Sequence, residues 1–261
     1  MISKAKLKYI HSLEQKKYRR QEGVFVAEGP KVVGDLLAVM PARELFATRE
    51  WVASQQHLAG TVTEVIDDEL RKLSFLQHPQ QVLGVFEMPE ARVASSQSSS
   101  LHGTTNVENQ LALALDGVQD PGNLGTIIRI ADWFGIDTIY CSPDTADAYN
   151  PKVVQATMGS IARVQIIYMD LAELIDSLPT GTPVYGTLLD GENIYRQPLQ
   201  PNGLIVMGNE GKGISPDIAQ RVSHRLLIPN YPEGRDTADS LNVAIATAIA
   251  CAEFRRQQQS S

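Results

Sequence analysis

The amino-acid sequence predicts an α/β protein: a mainly parallel sheet with helices on both faces, preceded by a smaller α/β domain. Three observations carry this prediction. From Leu111 onward, apolar runs of strand length alternate with helical patterns for about 150 residues, which is the signature of a parallel sheet covered on both faces. Residues 1–88 show their own, shorter alternation of helix and strand. Between the two, ARVASSQSSSLHGTTNVENQ at 91–110 is Ser-rich and without periodicity, and reads as flexible linker. The expected division is therefore 1–88, a linker over 89–110, and 111–261.

In the first domain, Leu7, Ile10 and Leu13 recur at helical spacing, predicting a helix from Lys4 to about Arg20. GVFVAEG then reads as a strand, and Pro30 opens a helix carrying Val32, Val33, Leu36 and Leu37. A strand near 44–47, a helix near 50–56, a strand at 62–66, a helix at 67–73 and a strand at 82–87 complete it.

The second domain opens with LALALDGVQDPGNLGTIIRIADWFGIDTIYC at 111–141, read as strand, turn, helix and strand. Pro121 and Gly122 punctuate the turn, Asn123 is placed to cap the helix, and Arg129 is a single cation in an otherwise apolar helix start. A helix over 150–162, a strand at 164–168, a helix at 170–178 and strands at 184–188 and 203–207 follow. A short helix at 216–222, a strand at 225–228 and an Ala-rich helix at 240–256 close the chain. Ligands of such sheets sit beyond the carboxyl ends of strands. The loops at 116–125, 208–215 and 229–240 all follow strands and can line one site.

The chain has 261 residues, 43% of them apolar, enough for one large domain or two modest ones. Its two cysteines, Cys141 and Cys251, lie within apolar patterns and read as buried thiols, in keeping with a reducing cytoplasm. No run approaches the ~18 apolar residues of a membrane span, and MISKAKLKYIHSLEQKKYRR lacks the apolar stretch of an export signal. The net charge of −7 argues weakly against a nucleic-acid partner. Its distribution argues the other way: Lys4, Lys6, Lys8, Lys16, Lys17, Arg19 and Arg20 face only Glu14 within the first 20 residues, an excess able to attract phosphates or to form a solvated helix face.

GNEGKG at 208–213 fails the spacing of a phosphate loop, since Gly213 rather than Ser or Thr follows Lys212, and no dinucleotide fingerprint follows any predicted strand. An ordinary turn, a phosphate cradle and a small-molecule cofactor loop all remain open for it. Asp116 and Asp120 could bind a hard metal, but strand-end aspartates more often cap turns, so no metal is expected. None of His11, His57, His78, His102 and His224 lies in the three loops, so no Ser-His-Asp arrangement can be argued. Capping explains Ser240 as well as catalysis does, but leaves Asn242, a poor residue for a helix interior, without a reason.

With DGVQDPGNLGTIIRIAD at 116–132, LIVMGNEGKGIS at 204–215 and LLIPNYPEGRDTADSLNVAIATAIA at 226–250 in view, the chain resembles the SpoU family of the SPOUT class, S-adenosylmethionine-dependent RNA ribose 2′-O-methyltransferases. KAKLKYIHSL and FVAEG resemble, more weakly, the L30-like substrate-binding domain often attached to that family. The resemblance implies a C-terminal stretch threaded into a deep trefoil knot, which periodicity alone does not suggest. It implies that the backbones of Gly208, Ile228 and Leu241, with Leu188 nearby, hold the cofactor S-adenosylmethionine, and that Arg129 acts on the ribose hydroxyl with Asn123, Glu210, Ser240 and Asn242 around it. It further implies a cytoplasmic homodimer acting on ribosomal RNA, with transfer RNA as the alternative substrate. The segment before Ser240-Leu241-Asn242 is longer and more acidic than the family pattern, which puts RNA contacts over 233–239 in doubt. Two rivals from other classes are a non-catalytic RNA-binding protein on the same fold and a nucleotide-dependent oxidoreductase. Intact Arg129, Glu210 and Asn242 oppose the first, and the missing fingerprint opposes the second.

Overall fold

The structure is a computed structural model describing residues 2–55, 61–89, 107–232, 235, 236, 238 and 240–258. The chain forms two compact units, Met1–Ala91 with Asp147–Ala162, and Arg92–Ala146 with Arg163–Ser261. Most of the linker expected at 89–110 lies outside the described residues.

In the first unit, β1 (Val24–Glu28), β2 (Ala42–Ala47), β3 (Thr61–Glu64) and β4 (Val82–Glu87) form a four-stranded sheet in the order β1-β4-β2-β3. β4 runs antiparallel to both of its neighbours, while β2 and β3 are parallel. One face is covered by α1 (Lys4–Ser12) and α5 (Asp67–Leu73), whose Ile10, Leu70 and Leu73 pack with Val24, Val26, Leu83 and Val85. α3 (Pro30–Leu37), opened by Pro30 at its first turn, packs against β1 and β4. α4 (Arg49–Ser54) is capped by the Thr48 hydroxyl, which accepts from Trp51 N–H.

The single helix expected over 4–20 is two helices. α1 ends at Ser12, α2 spans Lys16–Glu22, and the Arg19 guanidinium donates to the carbonyls of Leu13 and Glu14 that the break exposes. The helix expected over 150–162 is likewise short. α7 (Pro151–Ala156) stops before Met158 and Gly159, both at positive φ, and a separate 3-10 turn covers Ser160–Ala162.

The second unit has six parallel strands, β5 (Leu111–Asp116), β6 (Thr138–Cys141), β7 (Gln165–Tyr168), β8 (Val184–Asn193), β9 (Gly203–Gly208) and β10 (His224–Leu227), in the order β10-β8-β9-β5-β6-β7. Successive side chains of a strand point to opposite faces. Accordingly Ala112 and Ala114 of β5, with Leu204 and Val206 of β9, pack against Leu171, Leu174 and Ile175 of α8 (Leu171–Asp176) and Ile218 of α9 (Pro216–Ala219). On the other face lie α6 (Pro121–Trp133) and α10 (Val243–Gln258), which also pack on each other. α6 buries Leu124, Ile127, Ile128 and Ala131, and Phe254 of α10 meets the Tyr185 ring edge-on. Both cysteines are buried and unbridged, as their apolar settings predict; burial pushes the Cys251 thiol up to about 12 and that of Cys141 higher still.

Candidate active site at three strand ends

The carboxyl ends of the central strands β5 and β9 lie side by side, Asp116 opposite Gly208. Loop 208–215 folds back on itself: Asn209 and Gly213 exchange two backbone hydrogen bonds of 2.9 Å. Gly208 is required here, because a Cβ on it would fall 2.2 Å from the Gly213 carbonyl carbon. The Asn209 Oδ1 accepts from Gly211 N–H at 2.9 Å and Lys212 N–H at 3.1 Å. The N–H groups of Asn209, Gly211, Lys212, Gly213 and Ser215 are therefore engaged within the protein, which disfavours a phosphate cradle for GNEGKG and leaves the turn and cofactor-loop alternatives.

Side chains fasten this turn to the first loop. Asn209 Nδ2 donates to the Gly117 carbonyl at 2.6 Å, and Ser215 N–H donates to Asp116 at 2.7 Å. Asp120 caps α6, accepting from Asn123 N–H at 2.8 Å. Both aspartates thus serve the backbone, and no group of three or more His, Cys, Asp or Glu able to hold a metal ion occurs among the described residues.

Three of the five catalytic candidates, Asn123, Glu210 and Asn242, form a chain of hydrogen bonds that links the first two loops to the start of α10. Asn242 Nδ2 donates to Asn123 Oδ1 at 2.9 Å, and Asn123 Nδ2 donates to Glu210 Oε1 at 3.0 Å. Glu210 also accepts from Gln119 N–H at 3.4 Å and Asp120 N–H at 3.3 Å, at the positive end of the α6 dipole. Asn242 stands just before α10 and caps it, its Oδ1 accepting from the N–H groups of Ala244 and Ile245. Capping therefore does explain Asn242, contrary to the sequence expectation, because α10 starts at Val243 and not at Ser240. Ser240 is exposed and makes no hydrogen bond among the described residues.

Arg129 lies on α6, six positions beyond Asn123. Its side chain is exposed and pairs with neither nearby acid: Asp132 takes a bidentate contact from Arg163, at 3.0 and 2.7 Å, and Asp120 is spent on the helix cap. The Arg129 guanidinium has no hydrogen bond or ion pair among the described residues. Of the cofactor candidates, Leu188 is half-buried against the core, Gly208 is buried, Ile228 is half-buried and Leu241 is exposed. The backbone groups of Ile228 and Leu241 have no hydrogen-bond partner among the described residues. In the third loop, Glu233, Gly234, Thr237 and Asp239 lie outside the described residues, so the doubt over 233–239 falls largely there.

The basic N-terminal candidates divide. Lys4, Lys8, Lys16, Lys17 and Arg20 are exposed, Lys17 with its ammonium over the Tyr18 ring. Lys6 pairs with Glu44 at 2.7 Å. Arg19 departs from expectation: it is 1% exposed, bound to two carbonyls and to Asp147 at 2.6 Å, and serves the fold of its unit rather than a surface. The sequence reading also passed over Asn209, the residue that sets both the shape of its turn and its tie to the first loop. An Asn directly after a strand, within glycines, was the available signal.

A parallel α/β sheet whose strand-end loops are tied together by polar side chains is the architecture of an α/β enzyme with its site at the strand ends. Residues 110–252 match the SpoU rRNA Methylase family and residues 4–84 the MRM3-like substrate binding domain. The chain belongs to the SpoU rRNA Methylase family. It is 30% identical over 254 residues to the 23S rRNA (guanosine(2553)-2′-O)-methyltransferase RlmP of Bacillus subtilis, covering 96% of each chain. It is 25% identical to the human mitochondrial rRNA methyltransferase 3, over 94% of this chain and 70% of that one. Among solved structures, the AdoMet-bound rRNA methyltransferase from Sinorhizobium meliloti is similar with a TM-score of 0.83 and 32% identity, over 98% of this chain and 96% of that one.

Proposed function

We propose that this protein transfers the methyl group of S-adenosylmethionine to a ribose 2′-hydroxyl of ribosomal RNA. The observation that carries the reading is the hydrogen-bonded path Asn242, Asn123, Glu210, which ties the strand-end loops together; Arg129 stands six positions beyond Asn123 on α6 with no partner among the described residues. The relatives named above, rRNA methyltransferases in bacteria and mitochondria, support it.

S-adenosylmethionine fits the residues present, because its adenine and its amino-acid tail both need backbone partners at close range. The backbone groups of Ile228 and Leu241 are without a hydrogen-bond partner among the described residues. When bound, it supplies an electrophilic sulfonium methyl. Gly208, Ile228 and Leu241 hold it through their backbones, with Leu188 alongside. Arg129 grips the target hydroxyl and its phosphate. Its guanidinium is a donor with no acceptor lone pair, so it orients and polarises the hydroxyl, whose proton leaves to solvent as the bond to the methyl forms. Positioning is the larger contribution, and well-oriented groups can remove roughly 7–11 kcal/mol of a barrier. Asn123, Glu210, Ser240 and Asn242 set the walls within which Arg129 works.

Several expectations of the resemblance belong to this reading. The chain leaves the edge strand β10 and returns as α10 against α6, a path that suits the trefoil knot. Exposed Trp133 on α6, and Leu241 and Ile245 at the start of α10, suit a homodimer through the methyltransferase domain. Lys4, Lys8, Lys16, Lys17 and Arg20 supply phosphate contacts. No helix among the described residues is long and apolar enough to cross a membrane, and a cytoplasmic setting goes with the reading.

Mapping 2′-O-methyl groups across total RNA from cells with and without the protein tests it. A ribosomal site that vanishes with the protein is the expected result. Loss at a transfer-RNA site would reassign the substrate, and unchanged maps would overturn the reading.

A further inference from the structure

The first unit holds a cleft of about 530 Å³ that the methyl-transfer chemistry does not use, within the ~300–1,000 Å³ usual for ligand sites. Asp67, Leu70 and Arg71 of α5 form one wall, and residues 77–81 of the loop before β4, Gln77, His78, Gln80 and Gln81 among them, form the other. None of the side chains of Gln77, His78, Gln80 and Gln81 makes a hydrogen bond among the described residues. Three amides and an imidazole around one cleft, with no partner of their own, constitute an unspent set of donors and acceptors.

The loop that carries them is fixed at both ends. At its start, the buried carboxylate of Glu28 accepts from the Ser74 hydroxyl and from Phe75 N–H, the latter at 2.9 Å. At its end, Gln81 is held at φ 54, a conformation that costs a non-glycine residue, in a three-residue turn closed by Val82 N–H on the Gln80 carbonyl at 2.5 Å. Thr48 N–H pins the Gln81 carbonyl at 2.8 Å. Strain held in place from several sides at a ligand-sized opening points to a site rather than an idle turn.

Surroundings select the ligand. α1 packs beside α5: Ile2 N–H donates to Glu69 at 2.8 Å, and the His11 ring lies 2.7 Å from the Lys72 carbonyl and edge-on to Phe75. Within α5, Asp67 lines the cleft and Arg71 pairs with Asp68 at 2.8 Å, so the positive charge nearby comes from Lys72 and from the exposed Lys4 and Lys8 of the adjacent α1. We propose that this cleft receives one unpaired nucleobase of a single-stranded RNA loop, its face against the His78 ring and its edge read by the amides of Gln77 and Gln80, while α1 attracts the neighbouring phosphates. Amides beside a ring that can stack match the polar edge and flat face of an unstacked base, whereas a paired helix presents its bases only within its grooves. The site rests on the reading of RNA as substrate and adds where, and by what chemistry, the first unit selects it.

The test uses the full-length protein and unmodified large-subunit ribosomal RNA made by transcription, with a fully paired RNA duplex as control. Gln77→Ala/Gln80→Ala and His78→Ala change exposed side chains, so unchanged thermal unfolding is expected and is checked first. Each variant is expected to bind the ribosomal RNA about tenfold or more weakly, with an unchanged slope of log affinity against log salt and unchanged affinity for the duplex. Lys4→Ala/Lys8→Ala is expected to shallow that slope instead. Wild-type affinity in both cleft variants, no measurable binding by any form, or an equal loss on the duplex overturns the site. Calorimetry with S-adenosylmethionine and methyl transfer by the wild type are measured alongside. Failure of methyl transfer with cleft-dependent RNA binding intact would count against the proposed reaction and not against the cleft.

Discussion

Arg129 carries the hardest demand of the proposed chemistry, because an arginine must act on a hydroxyl that it cannot easily deprotonate. If its planar fork grips phosphate and hydroxyl together, Arg129→Lys keeps the charge but loses the geometry. Turnover is then expected to fall by roughly a hundredfold, as for loss of positioning, with little change in S-adenosylmethionine affinity; full turnover in single-turnover assays would show the fork to be unnecessary. Glu28 offers a test independent of catalysis. Burial raises its carboxyl pKa above the ordinary range, against the lowering effects of the Ser74 hydroxyl, Phe75 N–H and His11. A carboxyl raised in the folded state contributes stability that is fully present below its unfolded pKa of about 4.3 and is lost as pH rises through the folded value. As pH rises above the unfolded value the unfolding midpoint of the wild type should therefore fall relative to that of Glu28→Gln, and parallel curves would contradict the assignment. At this scale Arg129 stood out because a cation in an apolar helix start has few structural uses, and its role belongs to the proposed function. Arg19 did not: nothing in a run of lysines and arginines shows which one turns inward to serve the carbonyls of a helix break.

Elements decide whether those residues meet. α6 and α10 pack together and share the hydrogen bond between Asn123 and Asn242, the second of which also caps α10. Asn242→Ala is expected to cost about 1 kcal/mol, as for loss of a helix cap, and to lower turnover as well. Asn242→Asp retains the cap acceptor but cannot donate to Asn123, so denaturant melts should recover while turnover does not. Recovery of both would reduce Asn242 to a cap. Strong periodicity located most elements: α5 and β4 lie at 67–73 and 82–87 as expected, and β5 and β6 follow the apolar runs at 111–116 and 138–141. Periodicity failed at breaks shorter than its own window. Leu13 to Gln15 interrupts one helix without any glycine or proline, and Met158 at φ 51 has no local signal, because a residue other than glycine is held there by its surroundings.

At the scale of the whole molecule, strand order comes from pairing between distant segments, and no local pattern encodes it. The order β10-β8-β9-β5-β6-β7 places β5 and β9 at the centre although many residues separate them, and this adjacency brings Asp116 beside Gly208. A division drawn along the chain likewise could not show that Asp147–Ala162 packs with the first unit, where Asp147 pairs with Arg19. The convergence of the three loops was legible only as a rule about strand ends, and the bonds that realise it, from Asn209 to Gly117 and from Asn242 to Asn123, came from the structure. The central claim, that these loops form one cofactor pocket, is tested most directly by calorimetric titration of the full-length protein and of Gly208→Ala with S-adenosylmethionine. One site per chain in the wild type, lost when a Cβ is forced against the Gly213 backbone, is the predicted result. No heat from the wild type, or undiminished binding by the folded Gly208→Ala variant, would contradict it.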